Sequence, residues 1–384
     1  MARKTLAGIF TLTVAASFTM AACDSSVNSV TRIDEKSLAI GFQGPLSGKN
    51  SAVGFSELSG LQMAADEANI RGNLPFTVTV TESDDQGLPG ESAAAAQRLV
   101  SDKSVKAVIG PSFSGPAKAA GQIYANSKLV TVTPSATSPE LTKLGFTSFL
   151  RGVSNDRVQG LGIARFLEGH AGVNKVFVIN DGSEYGVGLA STAVQYLKRA
   201  GITTVTEKIL SGTLDYGSAA TTIKNSRANA LIYAGYYADL APFARKLKDV
   251  GYKGIGISGD GSNHSTFIPL AGEASQGWYF TCPCIDSSKN AKAKAFNKAY
   301  RDKFGTPPAA YAVEAYDIAK MIIQEFSNLG TNVSRAQILA NLKKVKYSGL
   351  SKRFSFDDSG ELESDRIGLY RVEGSEINYL GVVK

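Results

Sequence analysis

From residue 37 onward, short apolar runs alternate with stretches whose apolar residues recur at helical spacing. Runs at 38–42, 76–81, 105–109, 129–133, 175–180, 203–209, 230–233 and 254–258 read as strands. Between them, 58–69, 91–101, 117–126, 157–168, 188–200, 219–226 and 240–250 read as helices. Strands that alternate with helices predict βαβ units and parallel sheets. The Ala-rich stretch 93–96, with Leu99 and Val100, is helix-prone and is expected to pack on such a sheet. Residues 291–345 read as mainly helical, with 311–327 the longest pattern. After Gly349 the texture changes: 354–356, 367–372 and 379–383 alternate with Gly, Asp and Ser clusters, which predicts β-hairpins. Four βα units, a break near 151–155 and four more units predict two α/β lobes.

The first residues have a different pattern. Arg3 and Lys4 precede an apolar run from Leu6 to Met20, too short for a comfortable membrane span. Met20-Ala21-Ala22-Cys23 follows, then a polar stretch from Asp24 to Lys36. This predicts a signal peptide over 1–22 and a tether over 23–36. Cys23 after small residues resembles a bacterial lipobox, which would make Cys23 a lipidated N-terminus anchored in the cell membrane. A plain signal peptide with a chance Cys is the alternative.

Composition narrows the chemistry. The 384 residues hold 41 Lys and Arg against 34 Asp and Glu, a formal charge of +7. Removal of 1–22 takes Arg3 and Lys4 and leaves a formal +5, thinly spread over the chain. Short basic clusters at 245–248 and 343–346 read as solvated helix faces, so nucleic acid is not an expected partner. With two His and three Cys, the chain has few ingredients for a metal centre or a His-dependent triad. His170 and His264 sit in no HExxH and beside no nucleophile motif, and His264, near Asp260, could line the cleft, with a surface or cap histidine the favoured reading. There is no GxSxG elbow, no dinucleotide GxGxxG after the first strand and no Walker motif. Catalysis, a cofactor and a metal are therefore not expected. Cys282-Pro283-Cys284 in an exported chain suggests a disulfide, against the alternative of two free thiols. Trp278, the only tryptophan, is read as a core or sheet aromatic.

Ligands of parallel α/β sheets bind beyond the carboxyl ends of the strands. There, run 105–109 leads into Gly110-Pro-Ser-Phe-Ser-Gly-Pro116, with Ser114 where an N-cap belongs and Pro116 in the first helical turn. Exposed amides and the helix dipole make this a natural anion site, although for this turn alone simple capping is the favoured explanation. Run 129–133 leads into a second hydroxyl-rich turn, 134–142. The second lobe places Tyr185, Tyr236 and Asp260 at comparable strand ends. Hydroxyls, aromatics and one carboxylate thus gather at the edges of both lobes.

One ordered set of motifs spans residues 38 to 384: Gly44-Pro-Leu-Ser-Gly48, Asp84-Asp85, the 133–142 turn, Tyr185-Gly-Val-Gly188, Tyr233-Ala-Gly-Tyr-Tyr237, Gly259-Asp-Gly261 and Pro308-Ala-Ala-Tyr311. This set resembles the type I periplasmic-binding-protein family of branched-chain amino-acid ABC importers, the leucine/isoleucine/valine-binding type. The resemblance implies an α/β fold of two similar lobes, each a parallel-sheet sandwich, joined by three hinge crossings near 151–154, 281–285 and 350–354. Lobe 1 would comprise 37–152 plus 285–350, and lobe 2 would comprise 153–284 plus 351–384. It implies a monomeric, extracytoplasmic protein that closes on a small amino acid, branched-chain type first, and delivers it to ABC permease and ATPase subunits. A ligand-sensing receptor ectodomain for amino acids or small amides is the second implied role. By the family pattern, Ser114 and Thr137 would hold the α-carboxylate, and a backbone carbonyl at Ser135 or Ala136 the α-ammonium. Asp260 would complete the ammonium cage, and Tyr185 and Tyr236 would close over the ligand. Val53 and Phe113 match the wall of the side-chain pocket. Val53 stands where leucine-binding members carry an aromatic, and Asp260 where many carry Glu, so the resemblance leaves the ligand's side chain open.

Overall fold

The computed structural model describes residues 36–363 and 366–383; the expected signal peptide and tether, with Cys23, lie outside them. Among the described residues no helix is long and apolar enough to cross a membrane. The first half of the chain builds one sheet. Strands β1 (Ser37–Gly44), β2 (Thr77–Asp84), β3 (Val105–Ile109), β4 (Val130–Thr133) and β5 (Phe149–Arg151) lie in the order β2-β1-β3-β4-β5. All its neighbours are parallel, as strands linked by crossover helices must be. Those helices are α1 (Ser51–Arg71), α2 (Pro89–Ser101) and α3 (Ser114–Asn126). Successive side chains of a strand point to opposite faces. In β1, Leu38, Ile40 and Phe42 join Leu58 and Leu61 of α1, while Ala39 joins Leu99 and Tyr124 on the other face.

The second sheet repeats the plan. α4 (Asp156–Glu168), β6 (Lys175–Asn180), α5 (Glu184–Arg199), β7 (Thr203–Lys208), α6 (Gly217–Asn225), β8 (Ala230–Ala234), α7 (Tyr237–Asp249), β9 (Ile255–Ser258), α8 (Phe267–Ala271) and β10 (Tyr279–Cys282) follow in turn. The strands β6 to β10 pair in parallel in the order β10-β9-β8-β6-β7. The chain then returns to the first sheet. There α9 (Lys294–Phe304), α10 (Ala312–Leu329) and α11 (Arg335–Leu342) precede a short ribbon of β11 (Tyr347–Ser348) and β12 (Arg353–Phe354). Ile318, Ile322 and Phe326 of α10 complete the core over β1, β3 and β4. An antiparallel hairpin, β13 (Gly368–Glu373) and β14 (Glu376–Val382), adds to β10 and makes the second sheet seven-stranded.

Three local readings differ from the sequence pattern. β5 and β10 are strands of three and four residues that the apolar runs did not single out. α1 begins at Ser51 rather than near 58, because Gly54 and Gly60 dilute its apolar pattern. Both glycines are needed for packing: a side chain at Gly54 would overlap the Pro45 carbonyl, and one at Gly60 the Ala312 carbonyl. The last crossing falls later than 350–354. Phe354, Phe356 and Leu362 still pack in the core of the first sheet, and Gly360 accepts a hydrogen bond from the Arg151 amide at 2.9 Å. The chain enters the second sheet only with β13.

Candidate functional site

The strand ends of both sheets meet at one cavity. It is lined by Val53, Ser112, Phe113, Ser114 and Ser135 with Tyr185, Tyr236, Asp260, Gly261, Asn263, His264, Ala310 and Tyr311. These residues enclose a small, nearly filled cavity, part of it continuous with solvent.

On the first side, two turns are stitched together. Gly110, at φ 115°, lies against the Gln43 carbonyl where a side chain would overlap, and precedes a cis bond to Pro111. Thr133 Oγ1 donates to the Pro111 carbonyl at 2.7 Å and accepts from the Ala136 amide at 2.9 Å. Ser135 Oγ donates to the Ser112 carbonyl at 2.7 Å. Ser114 is not the N-cap; Phe113 is, and it offers no side-chain cap. Ser114 is instead the first helical residue, and its Oγ accepts from the Ser138 amide at 3.1 Å. The first amides of a helix have no intrahelical partner, so those of Ser114 and Gly115 remain for a ligand. Pro116 has no N–H to satisfy. Beneath this rim, Ser112 Oγ donates to Glu57 Oε2 at 2.6 Å. Burial pushes the Glu57 carboxyl up to about 8, so it is uncharged at neutral pH.

The second side carries a pair of buried carboxyls. Asp260 follows β9, and Gln159 Nε2 and Tyr185 OH donate to its Oδ1 at 2.6 and 2.9 Å. Tyr311 OH donates to Oδ2 at 2.6 Å. Gln159 Nε2 also donates to Asp156 Oδ1 at 2.9 Å, which brings a second buried carboxyl beside the first. Burial raises both carboxyls, and Asp260 adds repulsion at Asp156; hydrogen bonds from Tyr311, Gln159 and Tyr185 oppose the rise at Asp260. A cation in the cavity would stabilise the charged form of this pair. Tyr311 holds its position at φ 69°, a left-handed conformation that is costly for a bulky residue.

The two sides touch. The rings of Phe113 and Tyr236 lie 4.4 Å apart. Lys49 Nζ bridges to Asp239 Oδ2 at 2.7 Å and to Ser211 Oγ at 2.8 Å, and Lys118 bridges to Glu184 at 2.9 Å.

Of the residues singled out from sequence, Ser114, Ser135, Tyr185, Tyr236, Asp260, Val53 and Phe113 line the cavity, whereas Ala136 and Thr137 do not. The Ala136 carbonyl accepts from Arg151 Nη1 at 2.5 Å, and the Thr137 carbonyl accepts from the Asp156 amide at 2.9 Å. That leaves Ser135 as the residue of this turn facing the ligand space. His264 is neither a surface nor a cap residue: it is buried and lines the cavity. His170 does cap locally, with Nδ1 2.7 Å from the Phe166 carbonyl. Tyr311, Gln159, Ser112 and Asn263 were not singled out; the Pro-bounded approach to Tyr311 was the sequence signal for the first. Cys282 and Cys284 are joined in a disulfide at the end of β10. Trp278 packs in the core edge-on to Phe267, away from the cavity. Among the described residues no cluster of His, Cys, Asp and Glu is arranged to hold a metal.

Two α/β lobes with parallel sheets, and a cavity offering donors on one side and a carboxylate on the other, define a class of two-lobed binding proteins. The chain belongs to the periplasmic binding protein family, whose model matches residues 37–376. It is 30% identical over 343 residues to the Leu/Ile/Val-binding protein BraC3 of Rhizobium johnstonii, covering 88% of this chain and 93% of that one. Its structure resembles a leucine-binding protein of Thermotoga maritima, with a TM-score of 0.83, 25% identity and coverage of 90% and 98%. It also resembles a branched-chain amino-acid transporter substrate-binding protein, LivJ, of Streptococcus pneumoniae in complex with isoleucine. That match has a TM-score of 0.83, 27% identity and coverage of 91% and 99%.

Proposed function

We propose that this chain is the extracytoplasmic solute-binding component of an ABC importer, and that it holds a small α-amino acid between its lobes without chemistry. The observation that carries the reading is the division of the cavity. The amides and hydroxyl at Ser114 supply donors for a carboxylate, and Asp260, with the backbone carbonyl of Ser135, supplies acceptors for an ammonium. A zwitterion needs both ends satisfied once it leaves water. We assign residues 37–152 and 285–362 to one lobe and 153–284 and 368–383 to the other. Closure is a hinge motion at the three crossings. The membrane permease and ATPase subunits receive the ligand, and lipid on Cys23 tethers the protein.

Calorimetric titration with the twenty amino acids, small amides and urea tests this reading. Saturable binding of one or more α-amino acids is expected, and silence from all twenty would overturn it. Mass spectrometry of the membrane fraction should find a lipid on Cys23; an unmodified Cys23 would leave a plain signal peptide.

A further inference from the structure

We propose that Phe113 and Tyr236 close the side-chain end of the cavity, so that the site takes α-amino acids with small side chains (glycine, alanine, serine) and excludes the branched-chain ones. The inference rests on the amino-acid reading above and narrows its substrate class. The cavity is nearly filled by its own walls. Phe113, from the turn after β3, and Tyr236, from the turn between β8 and α7, meet across it with ring centroids 4.4 Å apart and planes at 36°. Rings at that separation touch and leave no layer for a methyl group between them. Both belong to one buried apolar cluster with Val53, Tyr185 and Tyr311.

Neither ring is free to withdraw. Phe113 is pinned through the backbone on each side of it. The Ser112 carbonyl accepts from Ser135 Oγ at 2.7 Å, and Ser114 Oγ accepts from the Ser138 amide at 3.1 Å. The Phe113 ring also lies against Gly87, where a Cβ would stand 2.8 Å from its Cε2. It thus rests on main chain, which yields less than a side chain does. Tyr236 lies against Gly261, whose Cβ would stand 3.1 Å from its Cδ1, and against the Tyr185 ring at 5.3 Å. Tyr185 is itself tied by its hydroxyl to Asp260 at 2.9 Å. Walls packed in this way resist each added methylene. Phe113 also directly precedes Ser114, so the block stands beside the proposed carboxylate site, where a ligand's first side-chain carbons arrive.

Calorimetric titration of the whole protein with glycine, alanine, serine, valine, leucine and isoleucine tests this. The best small amino acid should bind about tenfold or more tightly than leucine, since one methylene in a packed pocket discriminates by about that much. Phe113→Ala should open the end and reverse the order, and Phe113→Leu should move the ratio part of the way. Thermal melts show which variants fold, and the ranking in the unaltered protein decides the substrate class even if neither does. If valine, leucine or isoleucine matches or exceeds the best small amino acid there, this inference is overturned while the amino-acid reading stands. A ratio unchanged in a folded Phe113 variant would overturn the part given to that ring. If no amino acid binds, both the inference and the reading beneath it are overturned.

Discussion

The two sides of the cleft handle charge in opposite ways. The first side presents neutral groups only: helix amides, three serine hydroxyls and a glutamic acid that burial keeps protonated. The second presents Asp260, with Asp156 behind it, and spends Gln159 and two tyrosines on stabilising the carboxylate. Gln159 and Tyr185 come from the same side as Asp260, but Tyr311 reaches it from the start of α10, whose core is that of the first sheet. Neither side alone satisfies a zwitterion. On the proposed reading, a zwitterion held by the first side would still need a counter-charge for its ammonium, and Asp260 of the second side would supply it.

The largest break in this comparison is Asp260→Asn, which keeps shape and removes the charge. Loss of one partner of a buried charge pair costs about 2–5 kcal/mol, so amino-acid affinity should fall roughly a hundredfold while the melting temperature of the free protein does not fall. Calorimetry reads the first and a thermal scan the second; unchanged affinity would move the ammonium site elsewhere.

A medium effect tests the neutrality of the first side. Glu57 keeps its proton in the folded protein up to about 8, but an unfolded chain releases it near the ordinary value of 4.5. Between those pH values the unfolded state binds fewer protons, so stability falls as pH rises. Glu57→Gln cannot ionise, and its melting temperature should decline less than that of the unaltered protein between pH 5 and 8. Parallel curves would show that Glu57 is charged.

The smallest effect belongs to the rim. Lys49 is 45% exposed where it meets the buried Asp239 across the cleft, and water on the lysine side screens the pair, which contributes about 1 kcal/mol. Lys49→Met should weaken ligand affinity less than about fivefold, and raising the salt concentration should shrink even that. A tenfold loss that persists in high salt would give the rim a part in holding the ligand.

Much of this arrangement was legible in the sequence. The turns after β3 and β4 stand out because Pro and Ser punctuate them directly beyond β-branched runs, and Gly259-Asp260-Gly261 marks its strand end in the same way. What escaped depends on contacts distant in sequence. Nothing near residue 136 says that the guanidinium of Arg151 takes up its carbonyl, which turns Ala136 away from the ligand. Ser114 has the residue type of an N-cap, yet the Ser138 amide claims its hydroxyl and Phe113 takes the cap position. His264 reads as an ordinary polar loop residue until Tyr237 stacks on it. β5 and β10 are too short to show a period of two, and pairing with their neighbours rather than their own sequence defines them.

The fully buried Arg151 grips the carbonyls of Ala136 and Ser138, and its Nε reaches Glu361 at 2.7 Å. The ligand turn is thereby fastened to a segment more than 200 residues later in the chain. Exchanging the 134–142 turn between relatives to alter what they hold would have to carry Arg151 and Glu361 with it. A graft without them would import the lining and leave behind the fastener that shapes it.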